Sequence, residues 1–214
     1  MACGKPAFGQ RAGLSIQVEH LHSMGDSVLD SSLQDPATAA LAAPRIHLAS
    51  PADVPFIVEA IAAESREGHF SCDCSDPDVV SGLWHQVQAI VTGGVTPLPG
   101  ARDGAGGRAF VVQVGQVNAG FAILVEDMPG SWYQRLEIFA LTVHPQFRGR
   151  GLGRHLVTNL VRDSRSAQVY ARCAFGSVAM AGMLKSCGFG LGARSGAGSM
   201  TLEIRPPVDP QARG

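Results

Sequence analysis

Lysine is almost missing from this 214-residue chain, which has only Lys5 and Lys185; with arginine included, 17 basic residues face 18 acidic ones, a formal charge of −1. That balance excludes the large positive footprint needed to neutralise a run of phosphates on nucleic acid or an anionic membrane. The preference for arginine over lysine carries no functional weight, since either serves on most surfaces. Long apolar runs are missing too, and none approaches the roughly 18 residues of a membrane span. Met1 to Gly13 lacks the basic-then-apolar order of a secretory signal. The five cysteines are odd in number and irregular in spacing, which is no disulfide framework. A soluble, reducing, cytoplasmic setting is expected, with neither a nucleic-acid nor a membrane partner.

What is present is enough to fold. Apolar residues make up 45% of the chain, sufficient for one domain with a real core. Residues 1–43 show scattered apolar positions and no sustained period, so they read as an extension, either disordered or a docking arm. A folded domain is expected over 44–205, and a tail over 206–214. RIHLA from Arg45 reads as a strand. DVPFIVEAIAAESRE follows as a helix with Val54, Ile57, Val58 and Ile61 inward. A second helix is expected from Val79 to Val91, with Trp84 in the core. AFVVQV and NAGFAILVED flank Gly115-Gln116-Val117 as a hairpin, and RLEIFALTV (Arg135 to Val143) as a further strand. An amphipathic helix with Leu152, Leu156, Leu160 and Val161 on one face, strand QVYARCAF, helix SVAMAGMLKSCG and a closing strand pair complete the order. The fold class is mixed α/β (α+β), helices around one largely antiparallel sheet.

Arg148-Gly149-Arg150-Gly151-Leu152-Gly153 joins a strand ending at Val143 to that amphipathic helix. Such a junction is an anion site: first-turn N–H groups lack intrahelical partners, and the helix dipole adds about half a positive charge. Glycines remove Cβ atoms that would hold a phosphate off those donors. A Walker loop needs Lys then Ser or Thr after the last glycine, where this chain has Arg154-His155. A dinucleotide fingerprint needs Gly-x-Gly-x-x-Gly, and Gly149-x-Gly151-x-Gly153 is spaced differently.

Arg148-x-x-Gly151-x-Gly153, preceded by LTVHPQF and followed later by Cys187-Gly188-Phe189, resembles the acyl-CoA loop of the GNAT superfamily of N-acyltransferases. The resemblance covers about Arg45 to Ile204. It implies a GNAT-like sheet with a splayed strand pair that binds the cofactor. Leu141, Thr142 and Val143 would then hold the pantetheine arm through backbone groups. Arg148, Gly149, Arg150, Gly151, Leu152, Gly153 and Arg154 would wrap the diphosphate, and the Val143 N–H would face the developing oxyanion. Ser177 would cap the following helix or bond the cofactor arm. The donor implied is acetyl-CoA, the acceptor a primary amine on a small molecule or a protein. The alternative is a non-catalytic acyl-CoA sensor. Whether two copies pair stays open.

An alkylammonium with a pKa near 10.4 is only about 0.1% neutral at pH 7, so a positioned base contributes on the order of 10²–10⁴ in rate. Glu137, six residues before Val143, matches the strand position where histone-acetylating members of the superfamily keep their base. The competing reading of Glu137 is a solvent-facing residue or an ion pair with an arginine. Many members carry a tyrosine as acid in the last helix; here that position is Leu184, with Tyr170 and Cys173 as weaker substitutes. His69 and Phe70 lie in the loop between the first two helices, which in this family borders the acceptor, and are substrate candidates. Cys72-Asp73-Cys74 near His69 and His85 is poor zinc spacing, and no metal is expected. Trp132-Tyr133 reads as a loop-rim pair.

Overall fold

The computed structural model describes residues 43–70, 73–93, 106–127, 134–174, 176–194 and 199–205. The expected extension up to residue 42, Cys72, the Trp132-Tyr133 pair and the tail from 206 lie outside the described residues. In chain order the elements are β1 (Pro44–Leu48), α1 (Val54–Arg66), α2 (Pro77–Val91), β2 (Gly107–Val114), β3 (Val117–Glu126), β4 (Arg135–Val143), α3 (Leu152–Asp163), β5 (Gln168–Ala174), α4 (Val178–Ser186), β6 (Gly190–Arg194) and β7 (Ser199–Ile204). They build one seven-stranded sheet, ordered β1-β2-β3-β4-β5-β7-β6. Every neighbouring pair is antiparallel except β4 and β5, whose connection runs through α3. A parallel pair needs such a crossover, since a tight turn cannot reverse the chain twice.

β3 and β4 are buried almost end to end, as expected of central strands covered on both faces. Phe56 of α1 meets Phe121 edge-on at 6.4 Å, and Phe121 pairs with Thr142. A Cβ on Gly153 of α3 would instead touch Val143, the next residue along β4. Successive strand residues face opposite ways, so α1 and α3 pack on opposite faces. On α3 the inward stripe is Leu152, Leu156, Val157 and Leu160, with Val161 half-buried.

α2 starts two residues earlier than expected because Pro77 fits the first turn and the Asp76 carboxylate accepts from the Asp78 N–H at 2.8 Å. Trp84, expected in the core, is 38% exposed, its indole N–H donating to Gln88. The inward stripe runs through Val80, Leu83, Val87 and Ile90, which leaves Trp84 one position round the helix. No helix among the described residues is long and apolar enough to cross a membrane.

Candidate active site

β4 and β5 pair over three positions only, Arg135–Gln168, Leu136–Val169 and Glu137–Tyr170. Beyond Glu137, Phe139 forms a bulge: Ile138 matches Leu124 while Ala140 matches Ile123. From there β4 follows β3 and β5 follows β7, so the sheet forks. A bulge bends its strand and re-aims the residues beyond it. Near the fork's open end, the His144 N–H donates to the Ala119 carbonyl on the β3 side. Consecutive strand amides point opposite ways, so the Val143 N–H points into the gap toward β5.

The loop after β4 leads main-chain N–H groups to the start of a helix, an arrangement that can receive an anion. Pro145–Phe147 form a 3-10 turn pinned by buried Phe147. Gly149 (φ 74°) and Gly151 (φ 79°) then take left-handed conformations. An added Cβ at either would meet nothing within 4 Å, so the backbone conformation, not crowding, requires glycine there. Gly151 caps α3, and the first N–H groups of that helix open onto a cavity of about 320 Å³. Leu141, Thr142, Val143, Arg148, Gly149, Gly151, Leu152, Gly153 and Arg154 all line it. So do the two acceptor-side candidates, His69 and Phe70.

Two of the residues expected to hold the cofactor do not line this cavity. Arg150 is not among the lining residues; its guanidinium stacks 5.5 Å over the Phe147 ring. Ser177 is fully buried at the N-cap position of α4, one of the two places expected of it, and lies outside that lining. Met180 and Met183 of α4 supply the apolar wall instead.

Glu64 was not singled out from the sequence, yet it sits in the cavity wall at 7% exposure. It extends the inward stripe Ile57, Ile61, Glu64, and a carboxylate in that position was the available signal. α1 ends in a Schellman turn: Gly68, at φ 77°, donates to Ser65, and the His69 N–H donates back to the Glu64 carbonyl. That reversal brings the His69 ring onto the Glu64 carboxylate, with Nδ1 at 2.5 Å from Oε2. The other oxygen receives the Arg148 guanidinium, whose Nε donates to the Val143 carbonyl at 2.9 Å.

Glu137, the expected base, is placed differently. It is 5% exposed, at the closed end of the fork, and is not among the residues lining the cavity. Arg172 donates to it twice, at 2.7 and 2.9 Å, and the Tyr170 hydroxyl once, at 2.9 Å. Arg135 lies 4.2 Å over the Tyr170 ring and pairs with Asp127. Burial, and then the Glu137 charge, push the Tyr170 hydroxyl far above the ordinary phenol range, so it stays protonated as a donor. Both carboxylate oxygens are therefore occupied, and the arginine ion pair is the reading the geometry favours. Cys173 is buried in β5, its thiol pushed up to about 11 by that burial, and Leu184 is 1% exposed.

The sheet is thus forked between two parallel strands, with a glycine turn and a helix start at the open end. Residues 83–189, half of the chain, match the acetyltransferase (GNAT) family, and the chain belongs to that family. Its fold is shared with yncA of Salmonella typhimurium, solved with its cofactor acetyl-CoA (18% identity, TM-score 0.53, covering 77% of this chain and 95% of that one). It is also shared with a chimera of the spermidine N-acetyltransferase SpeG from Vibrio cholerae and hSSAT (14%, TM-score 0.56, 76% and 95%). The PaiA N-acetyltransferase of Thermoplasma acidophilum, in complex with coenzyme A, is similar as well (11%, TM-score 0.54, 76% and 99%). No curated protein sequence matches the chain.

Proposed function

We propose that this protein is an acetyl-CoA-dependent N-acetyltransferase acting on a primary amine in the cytoplasm, with residues 44–205 as its transferase domain. The observation that carries the reading is the open fork: the Val143 N–H points into it, and residues of the turn from Arg148 to Arg154 line the same cavity. Bound acetyl-CoA supplies an activated carbonyl. The backbone of Leu141 and Val143, which alternates away from β3 on either side of Thr142, offers the amide edge for a pantetheine arm, and Phe147, Leu152, Met180 and Met183 offer apolar cover for its alkyl segments. Main-chain N–H groups from Gly149 to Arg154, with two arginine charges on the cavity wall, suit a diphosphate. The Val143 N–H is a fixed donor for charge developing on the carbonyl oxygen. No base role is proposed for Glu137.

The test is calorimetry with acetyl-CoA, followed by free-thiol release with a panel of primary amines that includes spermidine. Heat at micromolar acetyl-CoA and amine-dependent thiol support the reading; no heat at millimolar concentration removes it. Binding without thiol release from any amine identifies a non-catalytic acyl-CoA sensor. That alternative draws on one observation, the buried Leu184 at the position where the family resemblance implies an acid.

A further inference from the structure

Arg148 belongs to the turn that suits a diphosphate, yet its guanidinium is engaged elsewhere, on the Glu64 carboxylate and the Val143 carbonyl. Glu64 has only 9% of its side chain exposed, and its oxygens are held by His69 and by Arg148. A buried carboxylate is costly without a paired charge or hydrogen bonds, and removing its cation leaves that charge poorly compensated. A diphosphate entering the turn offers Arg148 more negative charge than one carboxylate does, along with bidentate geometry. Arg148 drawn to the diphosphate leaves Glu64 on the cavity wall, oriented by His69 and short of one positive charge. An amine acceptor arrives as an ammonium ion and carries that charge.

We propose that Glu64 is the docking carboxylate for the acceptor's ammonium, covered by Arg148 until the diphosphate of coenzyme A takes Arg148 away. The proposal rests on the acyltransferase reading and adds to it the residue that docks the acceptor and the way the cofactor uncovers it. His69 is a positioning residue that fixes the carboxylate. The exchange makes cofactor and acceptor binding mutually supportive, because each removes the other's competitor.

Coenzyme A binding to the wild type, Glu64→Gln, Arg148→Gln and the double variant, measured by calorimetry, tests the exchange. Losing the competing carboxylate should tighten coenzyme A by about fivefold or more in Glu64→Gln. The gain should vanish when Arg148 is already gone, which is the signature of an effect acting through that residue. n-Butylammonium is the second probe. It should bind the coenzyme-A-saturated wild type about tenfold more tightly than the ligand-free protein, and this difference should be lost in Glu64→Gln. Should Glu64→Gln not fold by circular dichroism, Glu64→Asp, with the charge kept and the reach shortened, should show a smaller tightening of the same sign. Unchanged or weaker coenzyme A binding in the Glu64 variants overturns the exchange. Equal n-butylammonium affinity with and without coenzyme A overturns the docking role. A wild type that does not bind coenzyme A at all removes the acyltransferase reading itself, and this proposal with it.

Discussion

Glu137→Gln separates a structural strut from a catalytic base. The carboxylate accepts three hydrogen bonds at 2.7–2.9 Å, two of them from Arg172, at a site where its own side chain is 7% exposed and that of Arg172 is 30% exposed. Removing one member of a fully buried pair costs about 3–5 kcal/mol. Solvent reaching Arg172 reduces that, and the amide keeps an acceptor for one donor, so about 2–3 kcal/mol remains. For a domain of this size that lowers the melting temperature by roughly 5–10 °C. Urea titration should show a lower midpoint with an unchanged m-value, and calorimetry an unchanged acetyl-CoA affinity. Arg172→Ala should cost more than Glu137→Gln, since it strands the better buried of the two charges. Turnover measured well below the new melting temperature should stay within about tenfold of wild type. A loss of about 10²–10⁴ in turnover, with folding and cofactor binding intact, would refute the strut and restore Glu137 as the base.

Gly120 of β3 faces Val143, and a Cβ there would lie 2.6 Å from the Thr142 carbonyl oxygen. Gly120→Ala should therefore destabilise by about 2 kcal/mol or more and weaken acetyl-CoA binding by shifting the end of β4, read by urea titration and calorimetry. Gly151→Ala should cost about 1 kcal/mol through its positive φ and lower acetyl-CoA affinity. Gly153→Ala, whose Cβ makes only ordinary contacts, should hold or gain stability by about 0.5–1 kcal/mol inside α3. Burial raises the Cys173 thiol from an ordinary 9.0 to about 11, and the Tyr170 hydroxyl is raised as well. The folded state thus keeps protons that the unfolded chain releases, so stability should fall as pH rises from 9 through 11, and Cys173→Ala should flatten that limb in urea titrations.

The helices, the strands and the glycine turn before α3 were legible from local pattern, because they depend on interactions within a few residues. The Ile57–Ile61 spacing makes a helix with one apolar face, two short apolar runs either side of a turn at Gly115 make the β2–β3 hairpin, and glycines at 149 and 151 permit the left-handed turns that cap α3. Tertiary structure alone decided which charges meet. Glu64 and Arg148 lie 84 residues apart in the chain, and Glu137 and Arg172 35. The cost of burying a carboxylate says that a partner must exist, but its identity depends on how β4, β5 and α1 are arranged in space. The same holds for β7 entering between β5 and β6, and for the parting of β4 from β5 beyond Glu137. Hydrophobic pattern sets which face of a strand is buried; the order of strands, and the gap left where two diverge, come from packing the whole sheet between its helices.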